Sequence, residues 1–384
     1  MKVTITVPGR FHAFNLAYGL LQNNNLDKII TSYPAYILKS YGIPSKHVKS
    51  LIFKELYCRF YNLIYKKYPQ SIFINILFDF FASCLIPKNS DIYILWAGFS
   101  KLTIKRIRKV NPTAKIILER GSTHIQFQYK ILHHEYKNFP NINFNLPNVK
   151  LIQREIDEYN LVDYIAVPTE FTEKTFIDYG ILKTKMFINP YGVDLDIFKE
   201  KKYNKVNNTL NILFTGNFSV RKGANIYLHV LKLCENKRYL KFTIVGTIES
   251  GLYEYLQPYI SNGQVTFISQ VPQKELPKIY QDADIFFFPS HEEGLGLVLL
   301  QAMASGLCII ASENSGFGSF ANGENGYIGT EEKRIIIPAI KKLKKKYPIT
   351  GPLSPDTSFL QRAKLKIDVL IGHYHDQILT TFKT

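Results

Sequence analysis

The chain has 384 residues, 46% hydrophobic and 21% charged, with 48 Lys and Arg against 31 Asp and Glu for a net charge of +17. Its length suggests two domains, each able to bury a core, and its 27 Phe and 25 Tyr exclude a disordered or fibrous chain. The positive charge leaves three partner classes open: nucleic acid, an anionic membrane surface or phosphorylated small molecules.

The N-terminus opens on MKVTITVPG, a buried strand by pattern, without the basic-then-apolar order of a leader, so no signal peptide is expected. Short apolar runs rich in β-branched and aromatic residues then alternate with longer helical stretches. KVTITVP (2–8), DIYILWAG (91–98), AKIILE (114–119) and DYIAVP (163–168) are predicted strands. LNILFTG (210–216), LKFTIVG (240–246), QVTFIS (264–269), DIFFFPS (284–290) and LCIIAS (307–312) repeat the pattern. Several are apolar on both faces, as strands covered by helices on each side must be. Strand–helix alternation of this kind predicts α/β architecture with parallel sheets.

The apolar stretch from Gln70 to Pro87 is interrupted by Asn75 and Asp79, which favours a buried or interfacial helix over a membrane span. Four well-separated cysteines, Cys58, Cys84, Cys234 and Cys308, carry no C-x-x-C pair and fit a reducing cytosol. The polar stretch KEKKYNKVNNT (199–209) marks the seam. The domains are expected at 1–198 and 199–355, followed by a helix over 356–384 with Ser354 as its N-cap and Pro355 suiting the first helical position, packed back towards the first domain. The run IKKLKKKYP (340–348) is a solvated helix face in this reading. Two such halves would hold a ligand outside the carboxyl ends of their strands.

The strongest motif is FFFPSHEEGLGLVLLQAMASGLCIIASENSG (286–316). A strand is followed by a polar loop, then a helix beginning near Gly294 and Gly296, whose bare amides and dipole favour an anion. Glu293, just before them, suits sugar hydroxyls better than phosphate. In FTGNFSVRKGANIYLHVL (214–231), Gly216 and Asn217 end a strand, and Arg221 and Lys222 precede Gly223 and a helix. Two cations there can neutralise a pyrophosphate without a metal. In the first half, PGRFH offers Gly9, Arg10 and His12, and ERGSTH offers Arg120 and His124, each set just after a strand. VPTEFTEKTFIDYGILKTKMFINPYGVDLDIF (167–198) closes this half and is mainly architectural. The D-x-D pairs Asp194–Asp196 and Asp282–Asp284 are expected as turn and cap residues, so no metal site is predicted.

In order along the chain, PYGVD, G-x-x-x-x-R-K-G, LPKIYQDADIFFFPS and E-G-x-G-L-x-L-L-x-A-M-A-S-G make the sequence resemble a retaining glycosyltransferase of family 4, with the GT-B fold of two Rossmann-like domains. The resemblance implies transfer of a sugar from a UDP- or GDP-sugar onto a glycan or lipid-linked acceptor, with no cofactor and no metal. It implies that Glu293 contacts donor sugar hydroxyls, that Gly294, Leu295 and Gly296 present backbone amides, and that Arg221 and Lys222 hold the diphosphate. His124 would approach the donor sugar; Gly9, Arg10, His12 and Arg120 would serve the acceptor or line the cleft. Two positions depart from the pattern: Gln301 stands where a second glutamate usually meets the nucleotide ribose, and Asn217 where arginine is usual.

Charge is uneven, with 25 basic against 14 acidic residues before residue 195 and 23 against 17 from there on. Residues 39–67 hold seven Lys and Arg and one acid, Glu55, among aromatic and aliphatic residues. A second cluster is Lys101, Lys105, Arg106, Arg108 and Lys109. Basic amphipathic helices rest on anionic membranes, so the expected place is cytoplasmic, with peripheral attachment weighed equally against simple packing and solvation. Three other readings stay open: an inactive nucleotide-sugar-binding relative, a phosphorylase or epimerase on the same fold, and a nucleic-acid binder. The last lacks any recognisable binding module.

Overall fold

The computed structural model describes residues 1–65, 72–144, 146–200, 209–319 and 326–329. These fall into two compact units. Unit 1 comprises 1–126, 147–168 and 173–189; unit 2 comprises 127–146, 169–172 and the described residues from Pro190 onward. The expected helix over 356–384 and the basic run at 340–348 lie outside the described residues.

Unit 1 is built on strands β1 (Val3–Val7), β2 (Leu26–Thr31), β3 (Val48–Ser50), β4 (Ile92–Trp96), β5 (Lys115–Glu119), β6 (Tyr164–Val167) and β7 (Met186–Ile188). They form one parallel sheet in the order β3-β2-β1-β4-β5-β6-β7. Its helices are α1 (Ala13–Gln22), α2 (Ala35–Lys39), α3 (Phe53–Tyr65), α4 (Ile72–Leu85) and α5 (Lys101–Val110). Next come α6 (Ile125–Tyr136), most of which belongs to unit 2, α7 (Val149–Leu161) and α8 (Glu170–Asp178).

The period-2 alternation of strand side chains feeds two apolar layers. Tyr93 and Leu95 of β4 join Phe78, Ile104, Ile116 and Tyr159 on one face, while Ile94 and Trp96 join Val3, Ile5, Val7 and Phe14 on the other. Both faces are therefore covered, as a parallel sheet requires. A buried ionic knot ties three helices together. Asp79 of α4 accepts hydrogen bonds from the Leu102 and Thr103 amides, at 2.7 and 2.9 Å, and so caps α5. Ser100 does not cap it, because its hydroxyl donates to Trp96 O. Arg154 of α7 pairs with Asp79 and lies 3.4 Å from Glu158.

Unit 2 carries β8 (Leu210–Phe218), α9 (Ala224–Leu233), β9 (Leu240–Ile248), α10 (Tyr253–Ser261), β10 (Val265–Ser269) and α11 (Leu276–Gln281). It continues with β11 (Ile285–Phe288), α12 (Leu297–Ala304), β12 (Cys308–Ser312) and β13 (Gly326–Gly329). The sheet is parallel in the order β10-β9-β8-β11-β12-β13. Strand order reverses direction between β8 and β11, where doubly wound folds bind ligands. Its core is aromatic, with Phe214, Phe218, Tyr227, Phe242, Phe286, Phe287 and Phe288 all buried.

The nine expected strands are present. Four further strands, β2, β3, β7 and β13, complete the sheets, and β8 and β9 each run two residues past their glycine. Gly216 and Gly246 are register partners, and a Cβ on Gly246 would stand 2.0 Å from Gly216 O.

Candidate active site

Two loops of unit 2 flank its switch point. The β8–α9 loop turns into its helix through Gly223, which has φ +78° and whose Cβ would lie 1.9 Å from Pro289 O. Only glycine permits that approach. The loops are joined by the His291 amide donating to Arg221 O at 2.9 Å and the Ser290 hydroxyl donating to the same carbonyl at 3.2 Å.

This places Arg221 and Lys222 against two glutamates. Arg221 Nε lies 2.8 Å from Glu292 Oε2, and Arg221 Nη2 lies 3.6 Å from Glu293 Oε1. Lys222 Nζ pairs with Glu293 and stands 5.2 Å over the Phe288 ring. Burial, with Arg221 beside it, pulls the Lys222 ammonium well below its ordinary pKa, while Glu292 opposes the shift. The arrangement is a compact basic pair whose present counter-charges are carboxylates. A diphosphate could replace Glu293 on Lys222 and free that carboxylate to accept from hydroxyls.

Behind the pair lies a layer that sequence reasoning missed. Glu292 is fully buried and also accepts from Gln128 Nε2 at 2.8 Å. His291 Nε2 is 2.6 Å from Asn225 Oδ1 and 3.2 Å from Glu135 Oε2, and Asn225 Nδ2 donates to that carboxylate at 2.8 Å. Burial, and His134 secondarily, lowers the His291 pKa to about 4. The adjacent acids in H-E-E were the available signal, but their partners on α6 are far away in sequence.

The Gly294–Gly296 turn leads into α12 as expected. Gly294 O accepts from the Thr169 and Thr172 hydroxyls at 2.9 and 3.3 Å, and a Cβ on Gly316 would stand 2.1 Å from that same oxygen. The Leu295 side chain is buried. Gln301 accepts from the Tyr280 hydroxyl at 3.1 Å, and that hydroxyl is 2.7 Å from Thr215 Oγ1, next to Gly216. Asn217 accepts from Thr247 at 2.9 Å.

In unit 1, His12 is 3.4 Å from Glu119, meets Trp96 at a tilted angle with 5.2 Å between ring centroids, and is half-buried. Arg120 pairs with Glu155 at 3.2 Å. His124 is buried between Tyr159, Phe176 and Tyr179, parallel to the last at 4.6 Å. Its Nδ1 accepts from the Gln126 amide, which puts the ring proton on Nε2, and burial with Arg120 nearby lowers its pKa to about 4. Arg10 instead reaches Tyr41 at 3.2 Å, and Gly9 lies under the exposed Phe11 ring. Phe11, absent from the sequence reading, has φ 40° and stacks on Trp96 at 6.4 Å.

The D-x-D pairs are structural. Asp194 caps its own turn by accepting from the Asp196 and Ile197 amides, and Asp284 accepts from the Asn211 amide. Among the described residues, no group of three or more His, Cys, Asp or Glu is placed to hold a metal, and no helix is long and apolar enough to cross a membrane. In the second basic cluster, Lys101 is paired with Asp157 and Arg108 with Asp163, while Lys105, Arg106 and Lys109 are exposed.

The fold is GT-B, the two-sheet architecture of nucleotide-sugar glycosyltransferases. HepE of Anabaena, solved in complex with UDP-glucose, superposes with a TM-score of 0.60 at 14% identity, covering 90% of each chain. Residues 196–348 match the family model of glycosyl transferases group 1. An uncharacterized 41.2 kDa protein in the cps region of Klebsiella pneumoniae is 30% identical over 157 residues, 39% of this chain and 42% of that protein. The capsular polysaccharide biosynthesis glycosyltransferase CapM of Staphylococcus aureus is 28% identical over 216 residues, 51% of this chain and 55% of CapM. These matches thus span about half the length of the curated relatives. A second family model, pyridoxal phosphate biosynthetic protein PdxA, matches residues 321–384. There, 4-hydroxythreonine-4-phosphate dehydrogenase of Xanthobacter autotrophicus is 44% identical over 63 residues, 16% of this chain and 18% of that enzyme. The two matched ranges overlap around β13.

Proposed function

We propose that the protein is a retaining glycosyltransferase. It moves a sugar from a UDP- or GDP-sugar onto a glycan or lipid-linked acceptor in cell-surface polysaccharide or glycolipid synthesis. The observation that carries this reading is the Arg221–Lys222 pair set against Glu292 and Glu293 at the unit 2 switch point. Capsule-related relatives and a UDP-glucose-bound structural neighbour support it. The short dehydrogenase-like stretch supports no claim to that enzyme's activity.

In this mechanism Arg221 and Lys222 bind the diphosphate and stabilise the charge that grows on it as the glycosidic bond breaks. Amides at the start of α12 add to that field. Glu293, released from Lys222, accepts from donor hydroxyls and fixes the sugar. His124 is assigned to the donor sugar on the family resemblance. The acceptor hydroxyl attacks from the face that the phosphate leaves, and the departing phosphate oxygen takes its proton. No metal and no cofactor takes part, and the protein works at the cytoplasmic side, with Gly9, Arg10, His12 and Arg120 serving the acceptor.

The test is to supply the purified chain with donor sugars and a lipid-linked oligosaccharide extract, with and without a chelator, and to read the new linkage by NMR. Transfer with retained anomeric configuration in chelator supports the reading. Inverted product, or transfer abolished by chelator and restored by a divalent ion, contradicts it.

A further inference from the structure

We propose that α3 and α4 together form a docking surface for an anionic lipid bilayer, lying in the headgroup layer without crossing it. The proposal gives unit 1's basic character a specific face, and it does not depend on the roles assigned to the donor loops of unit 2.

Both helices leave a set of apolar residues in solvent. No residue of α3 is fully buried. Leu56, Phe60, Leu63 and Ile64 fall at i, i+4, i+7 and i+8, one stripe of a helix, and are 58%, 65%, 72% and 53% exposed. α4 has one charged residue, Asp79, which is buried in the knot with Arg154 and the α5 amides. That anchor turns Ile74, Phe78 and Ala82 inward and leaves Phe73, Ile76, Phe80, Phe81 and Leu85 exposed, Phe73 by 68%. The two faces adjoin, with Phe53 of α3 against Phe81 of α4 at 5.4 Å between ring centroids. Beside the α3 stripe, the rings of Tyr57, Tyr61 and Tyr65 meet in succession at tilted angles, 6.0 and 4.5 Å between centroids. Tyrosine, apolar in body and polar at its tip, suits the level of lipid headgroups.

Charge selects the occupant. The exposed Lys39, Lys46 and Lys49 lie in the chain just before α3 and the exposed Lys88 just after α4, and the acid of the 39–67 segment, Glu55, is already paired with Arg59 at 2.8 Å. A second copy docking through a two-fold axis would bring these basic residues against their own copies, which repels. An anionic bilayer offers hydrocarbon to the apolar faces and negative headgroups to the lysines.

Flotation of the full chain with phosphatidylcholine vesicles, with and without phosphatidylglycerol, tests the proposal. The wild type should float with the anionic vesicles and not with the neutral ones. Leu63→Ser, Phe73→Ser and Phe80→Ser combined should lower binding by at least about tenfold, since each side chain removes apolar area from the contact. Lys46→Glu with Lys49→Glu should weaken binding and reduce its dependence on salt. Each variant should keep the wild-type melting temperature and its shift with nucleotide sugars, so loss of flotation is not loss of fold or of donor binding. Failure of the wild type to bind anionic vesicles overturns the proposal. So does equal flotation of the triple variant, or a wild-type dimer that the triple variant makes monomeric.

Discussion

The Arg221 guanidinium and the Glu292 carboxylate meet at 2.8 Å across the strand-order switch of unit 2, with the carboxylate wholly out of solvent. Gln128 Nε2 donates to the same oxygen at 2.8 Å. Glu292 thus fixes where the basic pair stands. Glu292→Ala leaves one cation and one amide without their shared acceptor and should cost about 2 kcal/mol of stability. Glu292→Gln should cost less, keeping an acceptor for Arg221. Urea midpoints measure both, and an unmoved midpoint in Glu292→Ala contradicts the positioning role.

Lys222 and Glu293 hold each other, yet their roles should separate on mutation. Lys222→Ala should slow transfer at least tenfold, about 1.4 kcal/mol of barrier, and weaken binding of the free nucleoside diphosphate. Glu293→Gln should leave that binding largely intact and depress turnover. Steady-state kinetics beside calorimetry with the nucleotide distinguish the two. Equal nucleotide affinity in wild type and Lys222→Ala would remove Lys222 from the diphosphate.

The pH dependence of stability follows from His124 and His291, both held down to about 4. Above about pH 6.5 the imidazoles are neutral whether the chain is folded or not, and their contribution is whole. Below it the unfolded chain takes up protons that the folded chain refuses, so stability falls as pH drops from about 6.5 towards 4. Each ring accounts for up to about 3 kcal/mol of that loss. Denaturant melts across this range should show the decline, and His124→Phe, which fits the same aromatic surroundings, should flatten part of it. A wild-type profile with no loss above pH 4 contradicts the account.

Gly223 and Gly180 offer a controlled comparison, with φ of +78° and +87°. A Cβ meets Pro289 O at 1.9 Å in the first and nothing within 4 Å in the second. Gly180→Ala should therefore cost only the left-handed strain, about 1 kcal/mol. Gly223→Ala should cost at least about 2 kcal/mol more, because the joined loops must part. Comparable melting temperatures for the two variants would contradict this packing of the β8–α9 loop.

Much of the sheet framework was legible because parallel strands must be apolar on both faces, and IYILW or IFFF admits few other readings. β3 and β7 escaped because three residues carry no period, and β2 because Asp27 and Lys28 interrupt its run. The ends of β8 and β9 were obscured by Gly216 and Gly246, which look like stops and are a close-packed pair within the ladder. Nothing in the composition of 127–146 or 169–172 announces their membership of unit 2. At the site, Arg221, Lys222 and Glu293 could be found because glycines frame them beside strand ends. Glu292, His291 and Asn225 could not, since their meaning lies in Gln128 and Glu135, which only the folded chain brings near.

The most direct test of the donor site is a thermal-shift panel of UDP-, GDP- and ADP-sugars on the full chain and on Lys222→Ala, because a ligand bound only by the folded state must raise its melting temperature. At least one nucleotide sugar should raise the wild-type melting temperature, and Lys222→Ala should lose most of that rise. No shift with any donor, or an equal shift in the variant, would contradict the account.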